Sequence, residues 1–283
     1  LGTRVINNTP EYLAQLRQRL ETAVHDAGKK VLRGNDTQYA ANFSESPLKI
    51  ETENFIILHY TEAIGQDVAV RAETERTRIM SETGFKSWFG KAKIYIYRSE
   101  AEFIARTGMG QCLGFTSAHR DEQNRTLVEI HLFHKTTRLL AGTLPHEITH
   151  GLVHANTAQI SFLPLCINEG IACQMEPRVF TEYLKFYLKG RLDTPSYIPL
   201  AELFALRGYP SNRRVLYAEG SVLADYLIMR HGLADVIKLI NNTAGPDTFK
   251  GGLLQLTGAR SLEEFEAQWI QWVRSLQVKS ENL

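Results

Sequence analysis

The sequence predicts an α+β protein: a small twisted sheet built by the first half of the chain, with the second half made of helices. Three observations carry that expectation. Strand-type alternation is confined to the residues before Leu139, helical spacing of apolar residues dominates after it, and Pro164, Pro195, Pro199 and Pro210 punctuate the helical half. Taken in order, Thr9-Pro10 reads as an N-cap followed by proline at the first helical position. Tyr12, Leu13, Leu16, Leu20, Val24 and Ala27 then recur at helical spacing up to Gly34. Residues 35–47 are polar and rich in turn formers, which suits a linker. Aromatic and β-branched residues cluster at Phe55 to Tyr60, the first expected strand. A helix from about Gly65 to Thr83 follows, then a strand at Lys93 to Tyr97 and a short helix at Glu100 to Thr107. Two more strands are expected at Leu113 to His119 and Thr126 to Phe133, joined by the charged turn Arg120 to Arg125. Glu129 and His131 alternate with Val128, Ile130 and Leu132 and so share one face of the last strand, expected to face solvent.

Composition narrows the function classes. The 32 Lys and Arg stand against 31 Asp and Glu, and 43% of the 283 positions are hydrophobic, an ordinary globular composition. A net charge of +1 supplies no broad basic surface for a phosphate backbone, so nucleic acid is not an expected partner. The longest uncharged stretch, Gly151 to Asn168, is interrupted by His154, Asn156, Gln159, Ser161 and Pro164 and does not read as a transmembrane helix. The three cysteines, Cys112, Cys166 and Cys173, match no zinc-knuckle or redox spacing and demand no disulfide. The chain opens on Leu1 rather than Met and is expected to be a processed or trimmed product.

The chemistry concentrates where the pattern changes from mixed to helical. Residues 146–150 read His-Glu-Ile-Thr-His, and on a helix His146 and His150 stand one turn apart on one face, placed to bind a single ion with Glu147 beside them. Eighteen residues then intervene before Glu169 in the run Asn168-Glu169-Gly170-Ile171-Ala172. That interval is enough to finish one helix, turn, and begin a second antiparallel to it, bringing Glu169 to the same ion. Two imidazoles and one carboxylate leave a fourth tetrahedral position for water, the arrangement of a catalytic zinc rather than a closed structural one. One Zn²⁺ per chain is therefore expected on His146, His150 and Glu169. His154, a further turn along, is eight residues from His146 and too far to join them, so it reads as packing or pocket lining. Cys166 and Cys173, on either side of Glu169, read as buried inert thiols.

The interval and the Asn-Glu-Gly-Ile-Ala run resemble the gluzincin zinc peptidases, especially the aminopeptidase-N-like branch and the related peptidase-MA-like proteins. The resemblance is to motifs within about residues 50 to 240. It includes Tyr217-Ala218-Glu219-Gly220, similar to the family's Tyr-x-x-Gly helix start, whose tyrosine hydroxyl reaches toward the substrate carbonyl. The resemblance implies a zincin-type fold, with residues 47–157 forming an upper α/β subdomain that ends in the HExxH helix. Residues 158–283 would form a helical lower subdomain carrying the third ligand, and residues 1–46 a preceding helix and linker. It implies zinc-dependent hydrolysis of peptide bonds in a peptide or protein substrate, with Glu147 as general base and Tyr217 as oxyanion donor. The Gly-x-Met-Glu-Asn motif with which aminopeptidases hold a free amine is absent from residues 110–135, which favours an endopeptidase. Position 156, where a metzincin carries its third histidine, holds Asn156. Cys173 stands four residues after Glu169, where thermolysin-like relatives carry an Asp that orients a ligand histidine, so that partner is left unassigned. The alternatives are an aminopeptidase, and a latent or inactive zincin scaffold acting as a binding module. The residues leave compartment and oligomeric state open; the resemblance favours an exported protein, whether periplasmic, secreted or envelope-anchored.

Overall fold

A computed structural model describes residues 43–110, 112–133, 138–157 and 160–276. The expected N-terminal helix and most of the linker lie outside the described residues. The architecture is mixed α and β, with one five-stranded sheet in the order β1-β2-β3-β5-β4. The strands are β1 (Leu48–Glu51), β2 (Phe55–His59), β3 (Ala92–Tyr97), β4 (Gly114–Arg120) and β5 (Thr126–Phe133). β2, β3 and β5 run parallel, and the outer strands β1 and β4 are antiparallel to their neighbours. β4 is thus an edge strand, and its register pairs Thr116 with Ile130.

Alternation along β2, β3 and β5 sends Phe55, Ile57, Ile94, Ile96, Val128, Ile130 and Leu132 to one buried face. Two helices cover that face. Helix α1 (Glu62–Thr83) buries Ile64, Val68, Ala72 and Ile79, and α3 (Leu144–Asn156) buries Ile148 and Leu152. The opposite face is partly covered by α2 (Glu100–Thr107), whose Phe103 packs on Tyr97 and Phe133. Here His131 departs from the expectation of solvent. Its ring stacks on Tyr95 at 4.9 Å and on Phe115 at 6.0 Å, and its Nδ1 lies 2.9 Å from the Tyr97 hydroxyl. Aromatic residues on the same face of β3 and β4 close over it, and burial pushes its pKa down. Glu129 keeps the more open position and pairs with Lys93.

The helical half comprises α4 (Leu165–Gln174), α5 (Arg178–Lys189), α6 (Leu200–Ala205), α7 (Arg213–His231), α8 (Leu233–Asn241), α9 (Pro246–Thr257) and α10 (Leu262–Ser275). Pro164, Pro177 and Pro199 stand immediately before α4, α5 and α6, where a fixed φ suits the entry to a helix. One continuous buried core runs from Phe55 in the sheet to Val273 in the last helix, so the α/β and helical parts share it. The α/β part passes into the helical half between α3 and α4. Strand β1 is an addition to the expected elements: only four residues long, mostly exposed, and charged at alternate positions, it pairs with β2 as a protected sheet edge. No helix among the described residues is long and apolar enough to cross a membrane.

Candidate metal centre

Helix α3 presents His146, Glu147 and His150, all nearly inaccessible to solvent, and α4 presents Glu169, which is 1% exposed. The two helices pack against each other, and α4 in turn packs along α7, which carries Tyr217. Glycines explain how closely α4 and α7 approach. A Cβ at Gly170 would overlap the backbone carbonyl of Gly220, and one at Gly220 would overlap the carbonyl of Cys166. The glycines of the two sequence motifs are therefore the point where one helix backbone rests on the other, and that contact brings Glu169 and Tyr217 to the same cleft.

His146 Nε2 lies 3.1 Å from His150 Nε2 and 3.1 Å from Glu169 Oε2, and His150 Nε2 lies 3.5 Å from the same oxygen. The second nitrogen of each ring fixes the proton. His146 Nδ1–H donates to Glu176 Oε1 at 2.8 Å, and His150 Nδ1–H donates to Asn168 Oδ1 at 3.0 Å. Both Nε2 atoms then face one another and a carboxylate oxygen, a convergence that a cation would answer. Without an ion, burial lowers the pKa of both rings, but the hydrogen bonds of His146 to Cys173, Glu169 and Glu176 and the Glu169 charge beside His150 outweigh it and raise both, so that protons answer the convergence instead. The spacing fits zinc: ligand atoms about 2.0–2.1 Å from a tetrahedral ion stand roughly 3.3–3.4 Å apart. His146, Cys173 and Glu176 form a second group with donor atoms within 4.8 Å of one another. That group is already a hydrogen-bonded network, because Glu176 accepts from His146 and pairs with Arg138. The structure thereby supplies the acceptors that orient both imidazoles, Glu176 and Asn168, which the sequence left unassigned.

Glu147 faces the cleft beside the histidines. Thr116 of edge strand β4 donates its hydroxyl to Glu147 Oε2 at 2.7 Å, while a Cβ at Gly114 would come within 2.7 Å of Oε1. The strand thus grips one carboxylate oxygen and leaves the other free of any side-chain mass. Burial pushes the Glu147 carboxyl above its ordinary range, partly offset by the neighbouring His150 and His146. For Glu169, burial pulls upward, but His150 and His146 outweigh it and hold the carboxyl well below the usual range.

The Tyr217 ring lies 6.2 Å from that of His146, and burial, with Glu169 nearby, raises its pKa so that the hydroxyl stays protonated. Tyr209, which carries no motif, stacks on Tyr217 at 6.3 Å and donates its hydroxyl to Glu169 Oε1 at 2.5 Å. It holds the second oxygen of Glu169 in place. His154 lines the floor with His150 and Asn168, and burial depresses its pKa to about 4, so it stays neutral. His146, Glu147 and Tyr217 border a cleft of about 380 Å³, lined also by Phe180 and Leu184 of α5 and by Arg213 of α7. The three cysteines are free thiols. All five residues expected at the site, His146, Glu147, His150, Glu169 and Tyr217, border these two adjoining lobes of one cleft or meet at its base. Compared with known proteins, the chain matches no family model and no curated protein sequence.

Proposed function

We propose that the protein is a zinc-dependent peptidase of zincin type that hydrolyses internal peptide bonds. The observation that carries this reading is the convergence of two imidazole Nε2 atoms and one carboxylate beside a buried, strand-held glutamate. His146, His150 and Glu169 would hold the ion. When bound, zinc supplies a Lewis acid for the scissile carbonyl and lowers the pKa of a water molecule at the open position toward neutrality.

The remaining work falls to the chain's own residues. Glu176 and Asn168 accept the Nδ1 protons and keep both imidazoles in the ligating tautomer. Glu147, raised by burial, is a stronger base than an exposed carboxylate. Its free Oε1 takes the proton of the attacking water and delivers it to the leaving amide nitrogen. Thr116 holds Oε2 through this exchange, so the carboxylate does not swing away. The Tyr217 hydroxyl donates to the oxyanion that develops on the substrate carbonyl.

Endopeptidase action is favoured over aminopeptidase action because the carboxylates lining the described cleft already have partners. Glu147 is held by Thr116, Glu169 by Tyr209 and His146, and Glu176 by Arg138 and His146, which leaves none to receive a substrate's ammonium. The reading is tested by incubating a diverse peptide library with the zinc-loaded protein and, in parallel, with Glu147→Gln, and reading cuts by mass spectrometry. Internal cuts by the parent alone are expected; no cuts by a protein that carries zinc would reject peptidase action.

A further inference from the structure

The cleft is lined by Arg213, whose charge no carboxylate among the described residues answers. Arg213 is the first residue of α7, and its guanidinium carbon stands 4.7 Å from the Tyr209 ring centroid. The same ring's hydroxyl is bonded to Glu169, so Arg213 is one aromatic ring away from the metal ligands. Its Nη1 is buried and has no hydrogen-bond acceptor, and the side chain has no carboxylate within ion-pair distance, in both cases among the described residues. A buried charged donor without an acceptor is unfavourable until water or a ligand answers it, and in a cleft beside the proposed site a ligand can do so. Its other polar neighbour is the Cys112 thiol, a weak acceptor that carries no compensating charge.

Arg138, which also lines the cleft, has its charge answered: it pairs with Glu176 and lies over the Phe180 ring, although its Nε has no acceptor among the described residues. Arg214, next to Arg213 at the mouth, donates to the Tyr183 hydroxyl at 3.3 Å and adds a second positive charge with no carboxylate partner among the described residues. Planar guanidinium against planar carboxylate is the pairing that satisfies two donors at once. Phe180 and Leu184 offer apolar surface for the carbon atoms that carry such a group.

We propose that Arg213 receives a substrate carboxylate, so that the cleft selects peptides carrying an acidic side chain or a free C-terminal carboxylate close to the scissile bond. This inference rests on the peptidase reading of the site, and the two are separated by measuring binding and cleavage independently. Binding is read by fluorescence anisotropy on zinc-loaded Glu147→Gln with four labelled peptides of one sequence. These combine Glu or Gln near the centre with a C-terminal acid or amide.

The expected result is a preference of about tenfold for a carboxylate-bearing peptide, the scale of one charge-assisted hydrogen bond. The preference should vanish in Glu147→Gln/Arg213→Gln and be partly kept in Glu147→Gln/Arg213→Lys, with unchanged melting temperatures. Preference for the acid terminus identifies the C-terminal carboxylate as the group, and preference for the central Glu identifies a side chain. Equal binding of all four peptides, binding of none, or a preference that survives Arg213→Gln would overturn the inference. A preference that holds while the parent cleaves no peptide would sink the peptidase reading and leave the carboxylate site standing.

Discussion

Tyr217 and Asn168 have different proposed roles, and their substitutions separate catalysis from metal binding. Tyr217→Phe removes one oxyanion donor and none of the ligands, so turnover falls by about 10²–10³ while zinc content is unchanged. Steady-state kinetics beside metal analysis check both halves, and a Phe variant as active as the parent removes Tyr217 from the mechanism. Asn168→Ala deprives His150 Nδ1–H of its acceptor, and zinc affinity is expected to fall about 10–100-fold in competition with a chelator. The cluster of His146, His150 and Glu169 was legible in the sequence because its geometry is local or nearly so. His146 and His150 share a helix face by spacing alone, and Glu169 follows at an interval that fits a helix, a turn and a second helix. Tyr209, Thr116, Glu176 and Arg213 were not legible. Thr116 lies in β4, Arg213 at the start of α7, and Glu176 and Tyr209 in the connections before α5 and α7, and a lone tyrosine before a proline or a threonine in a strand carries no sign of what tertiary packing will set against it.

Among the elements, the edge strand β4 and the α4–α7 crossing place the site. Gly114→Ala would put a methyl against Glu147 Oε1, and displacing the carboxylate by a fraction of its length is expected to cost about 10²-fold in turnover with zinc retained. At the crossing, Gly170→Ala forces a methyl into the Gly220 carbonyl. This overpacking is expected to cost about 3 kcal/mol, a fall of roughly 10 °C in melting temperature. A melt within 1–2 °C of the parent, judged against that roughly 10 °C expectation, would show that the helices do not meet there. Strands with clean alternation, β3 and β5, and the Ser99-capped helix α2 were readable to within a residue of their ends. Helix α1 begins three residues earlier than its apolar pattern suggests, at Glu62 rather than Gly65. Gly65 lies inside it because the His59 ring packs where a Cβ would stand, a long-range reason that makes a glycine look like a boundary. Strand β1 escaped notice because its four residues bury almost nothing and exist as a strand only by pairing with β2.

At the scale of the whole molecule, the shared core carries a buried acid away from the cleft. Glu219 of α7 accepts the Ile198 N–H on Oε1 at 2.9 Å, while Oε2 is buried with no partner among the described residues. Burial pushes its pKa up to about 8. The folded value lies above the unfolded carboxylate value of about 4.3, so the stability this group contributes is whole below the unfolded value and is lost as pH rises through about 8. Glu219→Gln keeps the acceptor for Ile198 and cannot ionise. Its melting temperature relative to the parent should therefore rise between pH 5 and pH 8.5, and thermal melts at the two pH values check this. An unchanging difference would mean that Glu219 is ionised in the fold.

The central claim, that one zinc ion is held by two imidazoles and one carboxylate with a position left for water, is tested most directly by zinc K-edge X-ray absorption on the stoichiometrically loaded protein. The account predicts a single shell of nitrogen and oxygen scatterers at about 2.0–2.1 Å, imidazole multiple scattering from two rings, and no sulfur. A sulfur scatterer at about 2.3 Å would place Cys173 on the metal instead, and failure to bind one zinc per chain would contradict the centre altogether.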